Sequence, residues 1–145
     1  MRTSIIIVAV CLTAIVPGCS RRKSHNERLQ REWNAKVKAV ADLLAGVTDV
    51  PSAKAAEPKL AAALEELERV DAELRKTYDP EDVDAVEREP MTEAVAQGLA
   101  EMQRETAETF RISKRPELVE ALGETWKKIP SVFLLEAAGA IPKKK

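Results

Sequence analysis

The sequence predicts an all-α fold, an antiparallel bundle of three long helices plus a short C-terminal helix. Three observations point there. The 145 residues are loaded with Ala, Leu, Glu, Lys and Arg, the strong helix formers, and hydrophobic and charged residues stand at 45% and 32%, a globular balance. Aromatic residues reach only 3% and glycines number five, too few for the faces and tight turns of an all-β domain. Finally, most of the chain repeats its apolar residues at intervals of three and four, the period of a helix face.

The chain opens on a different signal. Arg2 supplies a positive charge, and residues 5–16 (IIIVAVCLTAIV) form an almost unbroken apolar run of 12 residues. That length suits a secretory signal and falls short of the roughly 18 residues that a membrane span requires. The run stops at Pro17-Gly18-Cys19-Ser20, with Arg21-Arg22-Lys23 immediately behind it.

Val16-Pro17-Gly18-Cys19 resembles the lipobox of bacterial lipoprotein precursors: an aliphatic residue, two further positions of which the second is small, then cysteine. Pro17 departs from the small or hydroxylated residue usual there. The resemblance implies that residues 1–18 are a signal peptide removed between Gly18 and Cys19. It also implies diacylglyceryl transfer to the Cys19 thiol and a lipid-anchored place in the bacterial cell envelope. Ser20 is not the Asp that often retains such proteins at an inner membrane. In a host with two membranes, the periplasmic leaflet of the outer membrane is therefore favoured.

The cysteine count agrees. Cys11 would leave with the signal, making Cys19 the single thiol of the mature chain, with no intramolecular disulfide. A free thiol in an oxidising compartment is a liability, and lipidation gives it a use. Three other readings compete: ordinary secretion, an uncleaved anchor and a buried helix. The short run and its abrupt polar end weigh against the last two.

Beyond the signal, residues 19–26 read as a lipidated polar tether, 27–139 as the helical bundle domain and 140–145 as a basic C-terminal tail. Net charge is distributed in blocks: +4 over residues 20–56, −10 over 57–108 and +4 over 109–145. An acidic centre between basic flanks suits helices folded back on one another, and it implies no ligand.

The first helix is expected over about residues 27–45, where Leu29, Trp33, Val37, Val40 and Leu44 share a face and Gly46 ends it. Asp49 or Ser52 can cap the second, over 52–78, with Leu60, Leu64, Leu67, Val70, Leu74 and Tyr78 on its stripe. Pro58 should kink that helix or mark its start, because proline removes a backbone donor and clashes with the preceding turn.

Asp79-Pro80-Glu81-Asp82 reads as a short acidic helix start. A third long helix is expected with Met91, Val95, Leu99, Met102, Thr106 and Phe110 on its face, ending near Ser113. Pro116 opens a fourth carrying Leu118, Leu122, Trp126 and Ile129, and Pro130 breaks it before one or two last turns. Residues 47–60 (VTDVPSAKAAEPKL) are also similar to a turn-and-helix stretch of small helical bacterial lipoproteins, a likeness that carries no activity with it.

Chemistry-bearing constellations are sparse. One His and two Cys exclude zinc fingers and haem attachment through CxxCH. His25 sits in the expected tether, where nothing orients it as a base. No ExxH pair, DxDxDG loop, Walker loop or GxGxxG occurs, so no metal or cofactor is expected. The acids are expected on solvated helix faces among Arg and Lys, and Trp33 and Trp126 as core anchors. The three terminal lysines are read as solvated.

The function expected is a membrane-anchored helical interaction or scaffold lipoprotein of the cell envelope, not an enzyme. Cys19 would be its site of lipidation, with no catalytic residue. The partners expected are the membrane, through that lipid, and an envelope protein; no nucleic acid is expected. A carrier of a lipid or other apolar guest between helices is the first alternative. A small carboxylate-dependent hydrolase is the second.

Overall fold

The protein is described by a computed structural model that covers residues 20–77 and 93–140. The signal segment, Cys19, Tyr78, the acidic stretch at 79–84, Met91 and the lysine tail lie outside the described residues. Among the described residues five helices follow in order: α1 (Ser20–Ala45), α2 (Val50–Thr77), α3 (Glu93–Ser113), α4 (Pro116–Lys128) and α5 (Pro130–Ala137). Every regular element among the described residues is a helix.

α1 starts earlier than its apolar stripe. Residues 20–26, expected as a flexible tether, are helical in backbone. The stretch SRRKSHN contains no glycine or proline, so nothing in it stops a helix that is already nucleated further on. Leu29, Val37, Val40 and Leu44 are buried as the spacing predicts, and Trp33 is half-buried. The helix closes at Gly46, whose N–H donates to the Asp42 carbonyl at 3.2 Å.

Asp49 and Ser52 share the capping of α2. The Ser52 N–H donates to Asp49 Oδ1 at 2.8 Å, and the Asp49 N–H donates to Ser52 Oγ at 2.9 Å, a reciprocal capping box. Hydrogen bonds to the Asp49 carboxyl from the Ser52 hydroxyl and then the Ser52 N–H hold it below the ordinary carboxylate range.

Pro58 lies inside α2, which begins eight residues earlier and runs on to Thr77, so this proline does not start the helix. Its ring is exposed, and its missing N–H leaves the Lys54 carbonyl without the usual helical donor. An interior proline costs about 3 kcal/mol relative to alanine, offset by roughly 0.4–1 kcal/mol because it restricts the unfolded chain. Pro58→Ala is therefore expected to stabilise the fold by about 2 kcal/mol, read as a higher urea midpoint. A lower midpoint would show that packing requires the proline.

α3 turns a different face inward from the one its large apolar residues suggest. Buried are Val95, Gly98, Glu105, Thr109 and Ile112, with Met102 packed on the core. Phe110, expected on the buried stripe, is 37% exposed and carries Lys114 Nζ over its ring at 4.2 Å. The buried set follows intervals of 3, 4, 3, 4 and 3 from Val95 through Met102 to Ile112, so helical geometry carries two polar side chains and a glycine into the seam.

In α4 the expected stripe of Leu118, Leu122, Trp126 and Ile129 is buried throughout. Gly123 interrupts the helix at φ 55° and ψ −132°, a backbone state that side-chain-bearing residues rarely adopt. Arg115 and Ile129, each preceding a proline, are kept out of the helical region as pre-proline sterics dictate, Ile129 being extended, and Pro116 and Pro130 each stand in the first turn of their helix. α5 ends in a Schellman motif: Gly139, with positive φ, donates to the Glu136 carbonyl at 3.1 Å, and Ala140 to that of Leu135 at 2.8 Å.

Contacts between helices give their relative directions. α1 and α2 run antiparallel, with Glu32 paired to Arg69 and Lys36 to Glu66. α1 and α3 run parallel, since Asn34 meets Ala94, Asp42 meets Arg104 and Leu44 meets Arg111. α2 and α4 are also parallel neighbours, through Thr48 with Arg115 and Glu57 with Thr125. Thus α1 touches α2 and α3, α4 touches the same two, and α5 rests on α3 and α4. Successive long helices therefore alternate in direction, and α1 lies parallel to α3 and α2 to α4.

The turn after α1 is held by two arginines from the far hairpin. Arg111 donates from one Nη to the carbonyls of Leu44 at 3.0 Å and Val47 at 2.9 Å, and Arg115 donates to that of Thr48 at 2.6 Å. Cations at the C-terminal end of α1 also complement its dipole.

Candidate functional site

A buried polar cluster lies where α5 meets α3. Glu105 is 5% exposed, and the side chains of Thr109 and Ser131 are buried beside it. Glu105 and Thr109 are one turn apart on α3, and Ser131 is the second residue of α5, delivered by Pro130. Ser131 Oγ lies 2.7 Å from Glu105 Oε1 and 2.7 Å from Thr109 Oγ1. Thr109 Oγ1 in turn lies 2.9 Å from the Glu105 main-chain oxygen and 3.3 Å from its Oε1.

The Ser131 hydroxyl donates to Glu105 Oε1, and the Thr109 hydroxyl donates to the Glu105 main-chain carbonyl. Burial pushes the Glu105 carboxyl above the ordinary carboxylate range. Hydrogen bonds from the Ser131 and Thr109 hydroxyls and from the Ser131 N–H oppose that shift without cancelling it.

A nucleophilic serine needs a base free to take its proton. Here the carboxyl and both hydroxyls are engaged with one another in a closed chain, so the cluster fastens α5 to α3. The chain matches no protein-family model, no curated protein and no solved structure.

The residues singled out from the sequence fall elsewhere. Cys19, the expected lipidation site, is outside the described residues. His25 is exposed on α1, with Nδ1 3.4 Å from an Arg28 nitrogen. Trp126 is buried in the main core, and Trp33 packs between that core and a smaller cluster of Leu29, Val70 and Leu74. Among the described residues, no group of three or more His, Cys, Asp or Glu gathers where a metal ion could sit, and no helix is long and apolar enough to cross a membrane.

The acids on the surface pair as the interleaved charges suggest, mostly within one helix: Asp71 with Arg75, Glu73 with Lys76, Glu108 with Arg111 and Glu124 with Lys127. Exposed pairs of this kind are worth about 0.2–1 kcal/mol each. Among the described residues, Lys36–Glu66, Arg69–Glu32 and Arg104–Asp42 join the N-terminal block to the acidic centre across helices, and in the last two the base comes from the acidic block, so the charge blocks say little about packing. Glu105 breaks the expectation that the acids lie on solvated faces. Val95, Met102 and Ile112 share a heptad register with position 105, but Leu99 and Phe110 mark a competing face, so the register alone did not decide its burial.

Proposed function

We propose that the protein is a lipid-anchored helical interaction module of the bacterial cell envelope, attached through Cys19 and presenting its helical surface to an envelope protein. The observation that carries this reading is the 12-residue apolar run followed by Pro17-Gly18-Cys19, which completes the lipobox-like Val16-Pro17-Gly18-Cys19. A helix spans about 1.5 Å per residue, so residues 20–26 give a stiff spacer of about 10 Å in place of a flexible tether. The body is then held close to the bilayer in a restricted orientation. The burial of Trp126 in the packed core and the engagement of Glu105 in its hydroxyl chain support a structural body.

Two or three acyl chains hold a protein on a membrane durably, at about 0.8 kcal/mol per buried CH₂. The mature protein is expected to incorporate a fatty-acid analogue and to partition into detergent. Cys19→Ser should abolish the label and leave unprocessed precursor; normal processing of that variant would refute the anchor. A lipid extracted stoichiometrically with the folded body would move the reading to a carrier. Hydrolytic turnover lost on changing Glu105 would move it to an enzyme.

A further inference from the structure

We propose that the outward face of α1 carrying His25, Arg28 and Arg31 is a seat for anionic phospholipid headgroups, so that the helix lies along the bilayer. The inference rests on the lipid-anchored reading and names the surface that the anchored body meets.

The charge there is concentrated and unanswered. Residues 20–31 hold Arg21, Arg22, Lys23, Arg28 and Arg31 against a single acid, Glu27. Arg69, Arg75, Arg104, Arg111 and Arg115 each pair with a carboxylate. Arg28 and Arg31 have no such partner among the described residues; Arg28 only approaches His25 Nδ1, at 3.4 Å.

That face points away from the bundle. Arg28 and Val37 are about two and a half turns apart, so Arg28 stands opposite the buried stripe. His25, Arg28 and Arg31 are all exposed. Ala35 and Ala39 continue the line of Arg28 without charge. The acids that flank this line further along are already held, Glu32 by Arg69 and Asp42 by Lys38 and Arg104.

Distance decides the orientation. Arg28 and Arg31 lie about 12 and 16 Å beyond Ser20 along the axis. An upright α1 would hold both beyond the screening length of roughly 8 Å, where an anionic surface exerts little pull. Lying along the bilayer, the helix brings both arginines and its basic first turn to the headgroups together. A guanidinium then meets phosphate oxygens through paired N–H donors. Among the described residues, α4 and α5 make no contact with α1, so this placement turns them toward the aqueous side.

Arginine footprinting on the mature acylated protein in vesicles tests the face. Phenylglyoxal is applied in phosphatidylcholine vesicles, with and without about one third of phosphatidylglycerol, and the modified peptides are read by mass. A basic side chain near an anionic surface gains a factor of about five, equivalent to ~1 kcal/mol. Arg28 and Arg31 should therefore react about fivefold more slowly in the anionic vesicles. Their rates should recover in about 1 M salt, where screening shortens to roughly 3 Å. Arg115, which holds the turn at the far end of α1, should keep one rate throughout. Equal rates for Arg28 and Arg31 in the two kinds of vesicle overturn the proposal. If fast in both, the arginines are merely solvated; if slow in both, another part of the chain, such as the acidic residues 79–89, covers them. Protection that salt does not reverse overturns it as well. The mass of the Cys19 peptide from the same digest reports acylation, so failure of the anchor is told apart from failure of the face.

Discussion

Trp126→Ala is expected to remove about 3–5 kcal/mol of folding stability, out of the roughly 5–15 kcal/mol that a domain of this size possesses. Trp126 is 5% exposed and sits in the main core with Leu118, Leu122, Ile129 and Val132 on the α4–α5 side and Val37, Val40, Leu44 and Leu60 from α1 and α2. Deleting the indole loses its transfer energy and leaves a cavity whose walls belong to several helices and cannot close together. Urea unfolding should show the loss as a lower midpoint at unchanged slope. Trp33→Ala should cost less, roughly 1–2 kcal/mol, because Trp33 is only half-buried and half of its apolar transfer is forgone. The contrast bears on function. A tryptophan kept as a platform for a guest would leave the empty protein as stable as wild type when removed, so an unshifted midpoint would overturn the core assignment.

Local chemistry explains which parts of the fold were legible. Helix class, the stop at Gly46, the shared cap of Asp49 and Ser52, and the break at Pro130 each rest on residues whose backbone preferences are strong and short-ranged. The stripes of α1, α2 and α4 were legible because Leu and Val dominate them. The face of α3 was not, because its large apolar residues do not all lie on one side. Leu99 and Phe110 drew the expected stripe toward themselves, whereas the packed side carries Gly98, Glu105 and Thr109. Which side wins depends on what α1 and α5 present to it, and that information lies dozens of residues away. For the same reason the Glu105 cluster was illegible: Ser131 is 26 residues from Glu105, and only the fold makes them neighbours. The parallel pairing of α1 with α3 was equally hidden, since periodicity fixes faces but not partners.

Gly98 is the residue on which that parallel pairing turns, and Gly98→Val is expected to cost about 3–5 kcal/mol. A Cβ at this position would stand 2.5 Å from Asn34 Oδ1 and 3.3 Å from Trp33 Cζ3, so even a methyl group forces α1 to yield. Asn34 is not free to swing away. Its Nδ2 donates to the Ala94 carbonyl at 2.7 Å, and its Oδ1 accepts from Gln30 at 3.0 Å, both inside the α1–α3 seam. Overpacking of a filled seam costs about 1–3 kcal/mol, and a buried amide stripped of its partners about 1–3 kcal/mol more. Gly98→Ala should be milder, at about 1–2 kcal/mol, because alanine recovers close to 1 kcal/mol of helix propensity. The decisive measurement is the cycle with Asn34→Ala. Once the amide is gone the main obstruction is gone and only the tight Trp33 contact remains, so Gly98→Ala should change sign and stabilise by up to about 1 kcal/mol, a coupling well beyond the ~0.5 kcal/mol expected of independent sites. Additive effects would mean that Gly98 is required for some reason other than the close approach of Asn34.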